Sequence, residues 1–215
     1  MKAIKSQASQ EISEKLLEIE AIKLNPKTPF KWASGWNSPI YCDNRLTLSY
    51  PAIRTLIKNE FVKLIQSEFS SVEAIAGVAT AGIPQGALIA DALNIPFLYV
   101  RANAKSHGLE NKVEGKISPG LKIVVIEDLV STGGSSIAAV EALRQAGADI
   151  LGLAAIFTYG FDVAVQNFAK SDIRTEYLCD YATMVELAQR KNYISEEDHA
   201  SLIKWRQNPG AWSPK

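Results

Sequence analysis

Apolar residues occur along this chain in two alternating patterns. In one pattern they form short, nearly continuous runs bounded by turn residues, which is typical of strands buried on both faces of a parallel sheet. The predicted strands are residues 72–79, 97–101, 122–129 and 151–159. A more polar run at 174–179 predicts a further strand at an edge of the sheet.

In the other pattern apolar residues recur every three or four positions, as on one face of a helix. The predicted helices are residues 11–22, 51–65, 84–93, 135–146, 161–170, 181–191 and 195–207. Pro51 suits a first helical turn, Gly147 suits a helix end, and Ser195 with Asp198 has the spacing of a capping box. In the helix that Pro84 opens, the expected buried residues are Ile83, Ala87 and Leu88.

Strands that alternate with helices predict an α/β fold, in which a central, mostly parallel sheet is flanked by helices and binds ligands at the carboxyl ends of its strands. The first fifty residues differ from this pattern. Residues 29–39 hold many turn residues and predict two short strands or loops around Ser34 and Gly35. We therefore expect one domain, residues 1–215, in which residues 1–50 form a small hood over a ligand.

Composition and charge argue against several classes of function. The 215 residues include 23 basic and 23 acidic side chains, so the total charge does not indicate binding to nucleic acid or to a membrane surface. No apolar run approaches the roughly 18 to 20 residues of a membrane span, and the N-terminus lacks an apolar signal-peptide core. Cys42 and Cys179 do not make a disulfide framework, and no Cys/His cluster has zinc spacing. A cytoplasmic location is expected.

Residues 122–136 carry the first candidate chemistry. A buried strand leads to two adjacent carboxylates, Glu127 and Asp128, and then to a turn of small hydroxyl residues and glycines that opens a helix. Loop amides and a helix N-terminus bind phosphate, and carboxylates bind sugar hydroxyls or magnesium. The turn matches neither the dinucleotide-binding nor the P-loop pattern. The segment predicts a sugar-phosphate site, and a solvated strand end is the alternative interpretation.

The second candidate lies in residues 102–118, which lack apolar periodicity and are long for a loop in a compact domain. Arg101, Lys105 and His107 precede Gly108 here. Three cationic or potentially cationic groups suit a polyphosphate leaving group, and closure of such a loop excludes water. A solvated charged loop is the alternative.

These motifs resemble those of a known family. Residues 127–135 are similar to the ribose-phosphate motif of the type I phosphoribosyltransferases, which bind phosphoribosyl pyrophosphate (PRPP) with magnesium. Residues 101–108, with arginine, lysine and histidine ahead of a glycine, resemble the catalytic loop of the orotate phosphoribosyltransferases. Residues 38–45 resemble the N-terminal segment of the same enzymes.

The resemblance implies transfer of ribose 5-phosphate from PRPP to N1 of orotate, giving orotidine 5′-monophosphate and pyrophosphate in pyrimidine synthesis. It implies catalytic roles for Arg101, Lys105, His107 and Asp128, with magnesium bound at Asp128, and a homodimer whose loops reach into the partner's site. Ser131 is expected beside orotate. The expected PRPP-binding residues are Thr80, Ala81, Arg101, Lys105, His107, Glu127, Asp128, Leu129, Val130, Ser131, Thr132, Gly133, Gly134 and Ser135.

The chain departs from the family pattern in three places. Many members have a second lysine after the loop arginine, where this chain has Ala102. One branch has a lysine in place of Ala33 and an arginine after the strand that ends near Tyr159, and this chain has neither. Because the orotate carboxylate needs a cation or good donors, Arg45 is the expected replacement.

Two alternatives to this function remain. A purine phosphoribosyltransferase has the same fold and would differ in the base. A regulator that binds PRPP without transfer does not need the loop cations and usually has a surface that binds DNA or RNA. This chain keeps Lys105 and His107 and has no basic extension, which argues against the regulator.

Overall fold

The computed structural model describes residues 7–32, 35, 37–102 and 112–213. The strands are β1 Ile22–Leu24, β2 Phe30–Lys31, β3 Asn37–Ser38, β4 Ile40–Cys42, β5 Ala74–Val78, β6 Phe97–Val100, β7 Val113–Glu114, β8 Lys122–Val130, β9 Asp149–Thr158 and β10 Thr175–Asp180. The α-helices are α1 Gln7–Glu18, α2 Pro51–Glu68, α3 Gly82–Leu93, α4 Gly134–Gln145, α5 Asp162–Lys170, α6 Tyr181–Arg190 and α7 Glu196–Gln207. A 3₁₀ helix, Asn44–Ser49, precedes α2.

A central sheet is the main structure within the described ranges. Its six strands lie in the order β10-β9-β8-β5-β6-β7, and every neighbouring pair is parallel except β6 with β7. The predicted α/β fold with a mostly parallel sheet is confirmed, and β10 lies at the predicted edge. No helix in these ranges is both long enough and apolar enough to cross a lipid bilayer.

Strand β8 is buried on both faces, as its continuous apolar run predicts. Ile123 and Val125 point to one face and pack in a core with α4 and α5. Val124 and Ile126 point to the other face and join a larger core with α1, α2, α3, α6 and α7. Since successive strand residues alternate between the faces, the same alternation governs the acidic residues that follow.

The N-terminal segment forms two antiparallel ribbons, β1 with β4 and β2 with β3. Residues 29–39 are predicted to form two short strands or loops, and the structure has the strands, paired as β2 with β3. The Trp32 ring lies 5.3 Å from the Tyr159 ring and 5.6 Å from the Trp205 ring, measured between ring centroids. The Trp205 indole N–H also donates to the Asn37 carbonyl at 3.3 Å. These contacts fix the N-terminal segment against the end of β9 and against α7.

The helix predicted at 11–22 has different ends in the structure. Within the described residues it runs from Gln7 to Glu18. It stops there because Glu20 takes a positive φ of 55° and Ile22 starts β1. The predicted loop 102–118 contains a short strand, β7, in which Val113 is buried. Two residues are too few to give a readable period, so apolar spacing does not reveal this strand.

The predicted buried face of α3 is wrong. Ile83, Ala87 and Leu88 are only half-buried. The buried residues are instead Gly82, Gln85, Gly86, Ile89 and Ala90. A Cβ atom on Gly82 would clash with the Ile126 carbonyl oxygen, and one on Gly86 would lie 2.8 Å from the Phe97 ring. The two glycines let the helix lie directly on the strands. A prediction based on the spacing of large apolar residues does not detect this contact, because glycine has no side chain.

Candidate active site

The candidate site lies where the strand order reverses. The chain runs from β5 to β6 on one side of the sheet and from β8 to β9 on the other, so the direction of progress changes between β5 and β8. In parallel sheets such a reversal opens a crevice at the carboxyl ends of the strands. Strand β5 pairs with β8 only as far as Ile126, whereas β8 continues to Val130. The predicted residues of β8 from Asp128 onward therefore lie beyond the end of β5, at this crevice, and Glu127 directly precedes them.

The loop between β8 and α4 has the geometry of a phosphate cradle. Gly133 adopts a left-handed conformation with φ 83°, and a Cβ there would lie 2.9 Å from the Phe168 ring. The Asn167 side-chain amide donates to the Thr132 carbonyl at 3.1 Å, which anchors the loop to α5. Within the described residues, no side chain caps the N-terminus of α4. The first-turn amides and the exposed Ser135 hydroxyl are thus placed to meet an anion.

Two of the predicted PRPP residues in β8 can offer only main-chain groups. Leu129 is half-buried and Val130 is buried. The Val130 carbonyl already accepts a hydrogen bond from the Tyr159 amide at 3.1 Å. Ser131, which follows them, is half-buried at the start of the loop. Together these residues carry the chain from the buried strand into the exposed cradle.

Glu127 lies inside the protein rather than beyond the strand. Its side chain is buried on the α4 face, where the Ser136 hydroxyl donates to Oε2 at 3.2 Å, and its Oε1 accepts from the Asp128 amide at 3.0 Å. Burial, with the neighbouring Asp128 charge as the second cause, raises the pKa of Glu127 far above its usual range. Its surroundings therefore favour the neutral carboxyl group until a cation or a set of donors arrives.

Asp128 belongs to the opposite face of β8, toward the N-terminal segment. Burial raises the pKa of its carboxyl, whereas hydrogen bonding with Glu127 and the charge of Arg45 act against that rise. The Asp128 carbonyl accepts a hydrogen bond from the Asn44 side-chain amide at 2.7 Å. The structure thus brings Asp128 to the junction between the sheet and the N-terminal segment.

Arg45, the expected partner of the orotate carboxylate, is held by its own neighbour. Its Nε and Nη2 donate to the two carboxylate oxygens of Asp43 at 2.6 and 2.8 Å. Its side chain is 61% exposed. The Asp43 contact holds the guanidinium near the crevice, and its role toward orotate stays a prediction.

The second predicted phosphate loop, with Thr80 and Ala81, joins β5 to α3. Thr80 is exposed and Ala81 is half-buried. The peptide bond between Ala79 and Thr80 is cis. Gly82, directly after this loop, lies against the backbone of Ile126 and Glu127. The loop therefore adjoins the acidic end of β8. The two predicted phosphate loops therefore flank the same crevice.

Arg101 follows β6 and shares a small cavity with an unpredicted cation. Its guanidinium lies 3.7 Å from the Glu114 carboxylate, and its amide donates to the Lys112 carbonyl at 2.8 Å. A cavity of about 130 Å³ is lined by Arg101, Lys112, Ala79 and Ser135, among others. Lys112 thus lies between the two phosphate loops, at a cavity that both loops line. The predicted catalytic residues Lys105 and His107 lie outside the described residues.

A second unpredicted cation, from α7, lies beside the end of β9. Arg206, on α7, donates from Nε to the Tyr159 carbonyl at 3.1 Å and from Nη2 to the Gly160 carbonyl at 2.5 Å. It lines a cavity of about 340 Å³ together with Thr132 of the phosphate cradle. The chain has no arginine directly after this strand, but the fold brings one there from 46 residues away. No local sequence signal predicts such a placement.

Comparison with known proteins identifies the family. The family model for the phosphoribosyl transferase domain matches residues 47–181. An orotate phosphoribosyltransferase of Bacteroides fragilis is 56% identical over 200 residues, which cover 93% of this chain and 94% of that protein. The chain belongs to the orotate phosphoribosyltransferases. The relationship to this relative covers the acidic strand, the loop and the N-terminal segment together.

Solved structures agree with this family. The orotate phosphoribosyltransferase of Aeropyrum pernix superposes with a TM-score of 0.75 at 26% identity, covering 86% of this chain and 99% of that one. The UMP synthase of Leishmania donovani superposes with a TM-score of 0.80 at 28% identity over 94% of this chain. This chain spans only 42% of that longer protein.

Proposed function

We propose that the protein transfers the ribose 5-phosphate group of PRPP to N1 of orotate, releasing pyrophosphate and forming orotidine 5′-monophosphate for pyrimidine (UMP) synthesis. The observation that carries the proposal is the acidic end of β8 between two phosphate loops at the sheet reversal, in a chain of the orotate phosphoribosyltransferase family. In the reaction the bond between C1 and the pyrophosphate oxygen breaks, and the electron pair leaves with pyrophosphate. N1 of orotate supplies the pair for the new bond to C1 and loses its proton, which passes to the released pyrophosphate or to water.

Each part of the site has its own role in this chemistry. The cradle of residues 131–135 offers amides and hydroxyls to the 5-phosphate. Thr80 and Ala81 suit the pyrophosphate side, with Arg101 and Lys112 as neighbouring cations. Asp128 faces the ribose, where positive charge builds as the leaving group departs. Lys105 and His107 neutralise the leaving group in this proposal, which follows from their place in the family loop.

Magnesium is part of the proposal, and the donor set is suited to it. The described residues contain no group of three or more acidic, histidine or cysteine side chains able to hold a metal by themselves. Magnesium needs no such cage, because it commonly binds through one or two carboxylates together with substrate phosphates and water. Asp128 would hold it, with substrate oxygens completing the coordination. When bound, the ion would neutralise charge on the pyrophosphate, and a nearby cation would also ease the burial of Glu127.

The proposal extends to the assembly and its location. We place the enzyme in the cytoplasm as a homodimer, in which the loop of one subunit serves the site of the other. The two free cysteines, Cys42 and Cys179, are compatible with a reducing compartment. Residues 1–50 are proposed to cover the base, since Asn44 and Trp32 attach this segment to the ends of β8 and β9.

A panel of bases tests the function. The purified protein is mixed with PRPP and orotate, hypoxanthine or adenine, with magnesium or with excess chelator, and the nucleotide products are separated and identified. We expect orotidine 5′-monophosphate from orotate only, and loss of turnover with chelator. Turnover of a purine but not of orotate would instead identify a purine phosphoribosyltransferase. PRPP binding without any nucleotide product would identify a regulator.

A further inference from the structure

Asn44 connects the N-terminal segment to the acidic strand through its buried side chain. Its side chain is only 1% exposed at the start of the 3₁₀ helix. The side-chain Nδ2 donates to the Asp128 carbonyl at 2.7 Å across a separation of 84 residues. Its Oδ1 accepts from the Cys42 thiol at 3.4 Å. Both ends of the amide are therefore engaged, and its orientation is fixed.

The Asp128 carbonyl needs this donor because β8 is longer than its neighbour. The pairing of β5 with β8 stops at Ile126, while β8 continues beside β9 to Val130. A buried main-chain carbonyl without a partner costs free energy, and Asn44 supplies the donor that the shorter strand cannot. The Asp128 amide, which belongs to the preceding peptide bond, donates to the Glu127 carboxyl group. Side chains thus hold both main-chain groups of Asp128.

The contact is part of a buried chain of hydrogen bonds that reaches the other phosphate loop. The Thr47 hydroxyl donates to the Asn44 carbonyl at 2.6 Å, and the Gln85 side-chain amide donates to the Thr47 hydroxyl at 3.2 Å. All three residues are buried. Gln85 lies in the first turns of α3, directly after the loop that carries Thr80 and Ala81. The chain of bonds therefore spans both sides of the crevice.

We propose that Asn44 is a positioning residue for Asp128, an inference that rests on the proposed function for the role of the Asp128 carboxylate. Without the Nδ2 donor, the strand end loses the bond that replaces a neighbouring strand, and the carboxylate moves relative to the ribose. Displacements on the order of 1 Å in a reacting assembly cost about 10²-fold in rate. Asn44 acts on catalysis through Asp128 and does not touch the substrate.

Kinetics of matched variants test this role. Asn44→Ala removes the donor to Asp128, while Thr47→Val breaks the same buried chain one step away and leaves that donor in place. We expect Asn44→Ala to lower kcat on the order of 10-fold or more, with the KM for orotate changed less than about 3-fold, as for loss of a contact that matters in the transition state. Thr47→Val should lower the melting temperature but keep kcat within about 2-fold of wild type, as expected for a residue with a structural role only. Equal kcat losses in both variants, or a wild-type kcat in Asn44→Ala, would overturn the inference.

A double-mutant cycle tests directly whether Asn44 acts through Asp128. If Asn44 acts through the Asp128 carboxylate, Asn44→Ala should cause little further loss of kcat in a protein that already carries Asp128→Asn. Multiplication of the two losses would show an independent effect of Asn44 and refute the inference. Asn44→Ser replaces Asn44→Ala in both arms if the alanine variant does not fold. A wild-type protein that does not convert orotate would refute the proposed function instead, which keeps the two failures distinct.

Discussion

The buried position of Glu127 disfavours the ionised form of its carboxyl group. The residue lies 5% exposed on the α4 face of β8, and the described residues place no cation in an ion pair with it. Such a carboxyl group is unfavourable when ionised. At neutral pH the buried carboxyl group therefore lowers the stability of the folded protein. In the proposed site the same group is available to bind ribose hydroxyls or a metal ion.

We expect Glu127→Gln to stabilise the protein in a pH-dependent way. The folded-state pKa is raised above the ordinary value of 4.5, so the unfolded chain loses this proton first as the pH rises and the wild-type protein loses stability above that value. Glutamine cannot ionise. Thermal unfolding should therefore show a melting temperature about 3 °C or more above wild type at pH 8 and nearly equal to it at pH 4. An equal difference at both pH values would contradict this account.

Lys112 is the described cation best placed to replace the lysine missing at Ala102. It shares the cavity with Arg101 and Ser135, between the two phosphate loops. Loss of one charge-assisted contact to phosphate should raise the KM for PRPP in Lys112→Ala on the order of 10-fold. Lys116→Ala, at an exposed lysine that does not line this cavity, is the control and should leave that KM within about 2-fold of wild type. The prediction fails if the two variants are indistinguishable.

At the scale of single residues, the sequence predicts chemistry better than it predicts contacts. Glu127, Asp128 and the cradle are adjacent in the chain, so their motif is readable, and the structure places them at one crevice. Lys112 and Arg206 reach the same region only through the fold. Asn44 carries no charge that would single it out, and its partner lies 84 residues away.

At the scale of elements, the close contact of α3 with the sheet sets the position of the loop that carries Thr80. Gly82 lies against the Ile126 carbonyl and Gly86 against the Phe97 ring. Backbone cannot move aside as easily as the end of a side chain. A methyl group at residue 82 therefore displaces the whole helix.

We expect Gly82→Ala to destabilise the protein by about 1–3 kcal/mol, the usual cost of overpacking. The same variant should raise the KM for PRPP, because the helix and the loop before it shift together. Gly86→Ala meets the Phe97 ring, which can rotate, and should cost less in denaturant unfolding. An equal or reversed ranking of the two variants would contradict the proposed packing.

The main strands and helices were predictable because long apolar runs report burial directly. The end of α1 and the short β7 were not, since one is set by the positive φ of Glu20 and the other by two residues paired with β6. The buried face of α3 was mispredicted for a physical reason. Glycine contributes no apolar side chain to a sequence pattern, although it lets the backbones of a helix and a strand approach each other closely.

At the scale of the whole molecule, the proposed homodimer makes a testable demand. If the loop of one subunit completes the site of its partner, subunits of Lys105→Ala and Asp128→Asn should complement each other when mixed. A hybrid dimer then contains one site with both wild-type residues. We expect up to about a quarter of wild-type activity, since half of the subunits at equal mixing form hybrids, each with one intact site.

Hybrid formation must be shown separately, for example with subunits that carry different affinity tags. Mixed samples of the Lys105→Ala protein with wild type control for dilution of active subunits. No recovery in proven hybrids would mean that each loop acts within its own chain. That result would not contradict the proposed transfer reaction, only the sharing of sites between subunits.

The most direct test of the central claim measures orotidine 5′-monophosphate formation from orotate and PRPP with magnesium by the wild-type protein and by Asp128→Asn, side by side. The two proteins differ by one oxygen-to-nitrogen exchange at the residue proposed to face the ribose. We predict rapid conversion by the wild type and a turnover lower by about 10²-fold or more in the variant, as for loss of a transition-state interaction. A wild-type protein that leaves orotate unconverted, or an Asp128→Asn variant with wild-type turnover, would contradict the account.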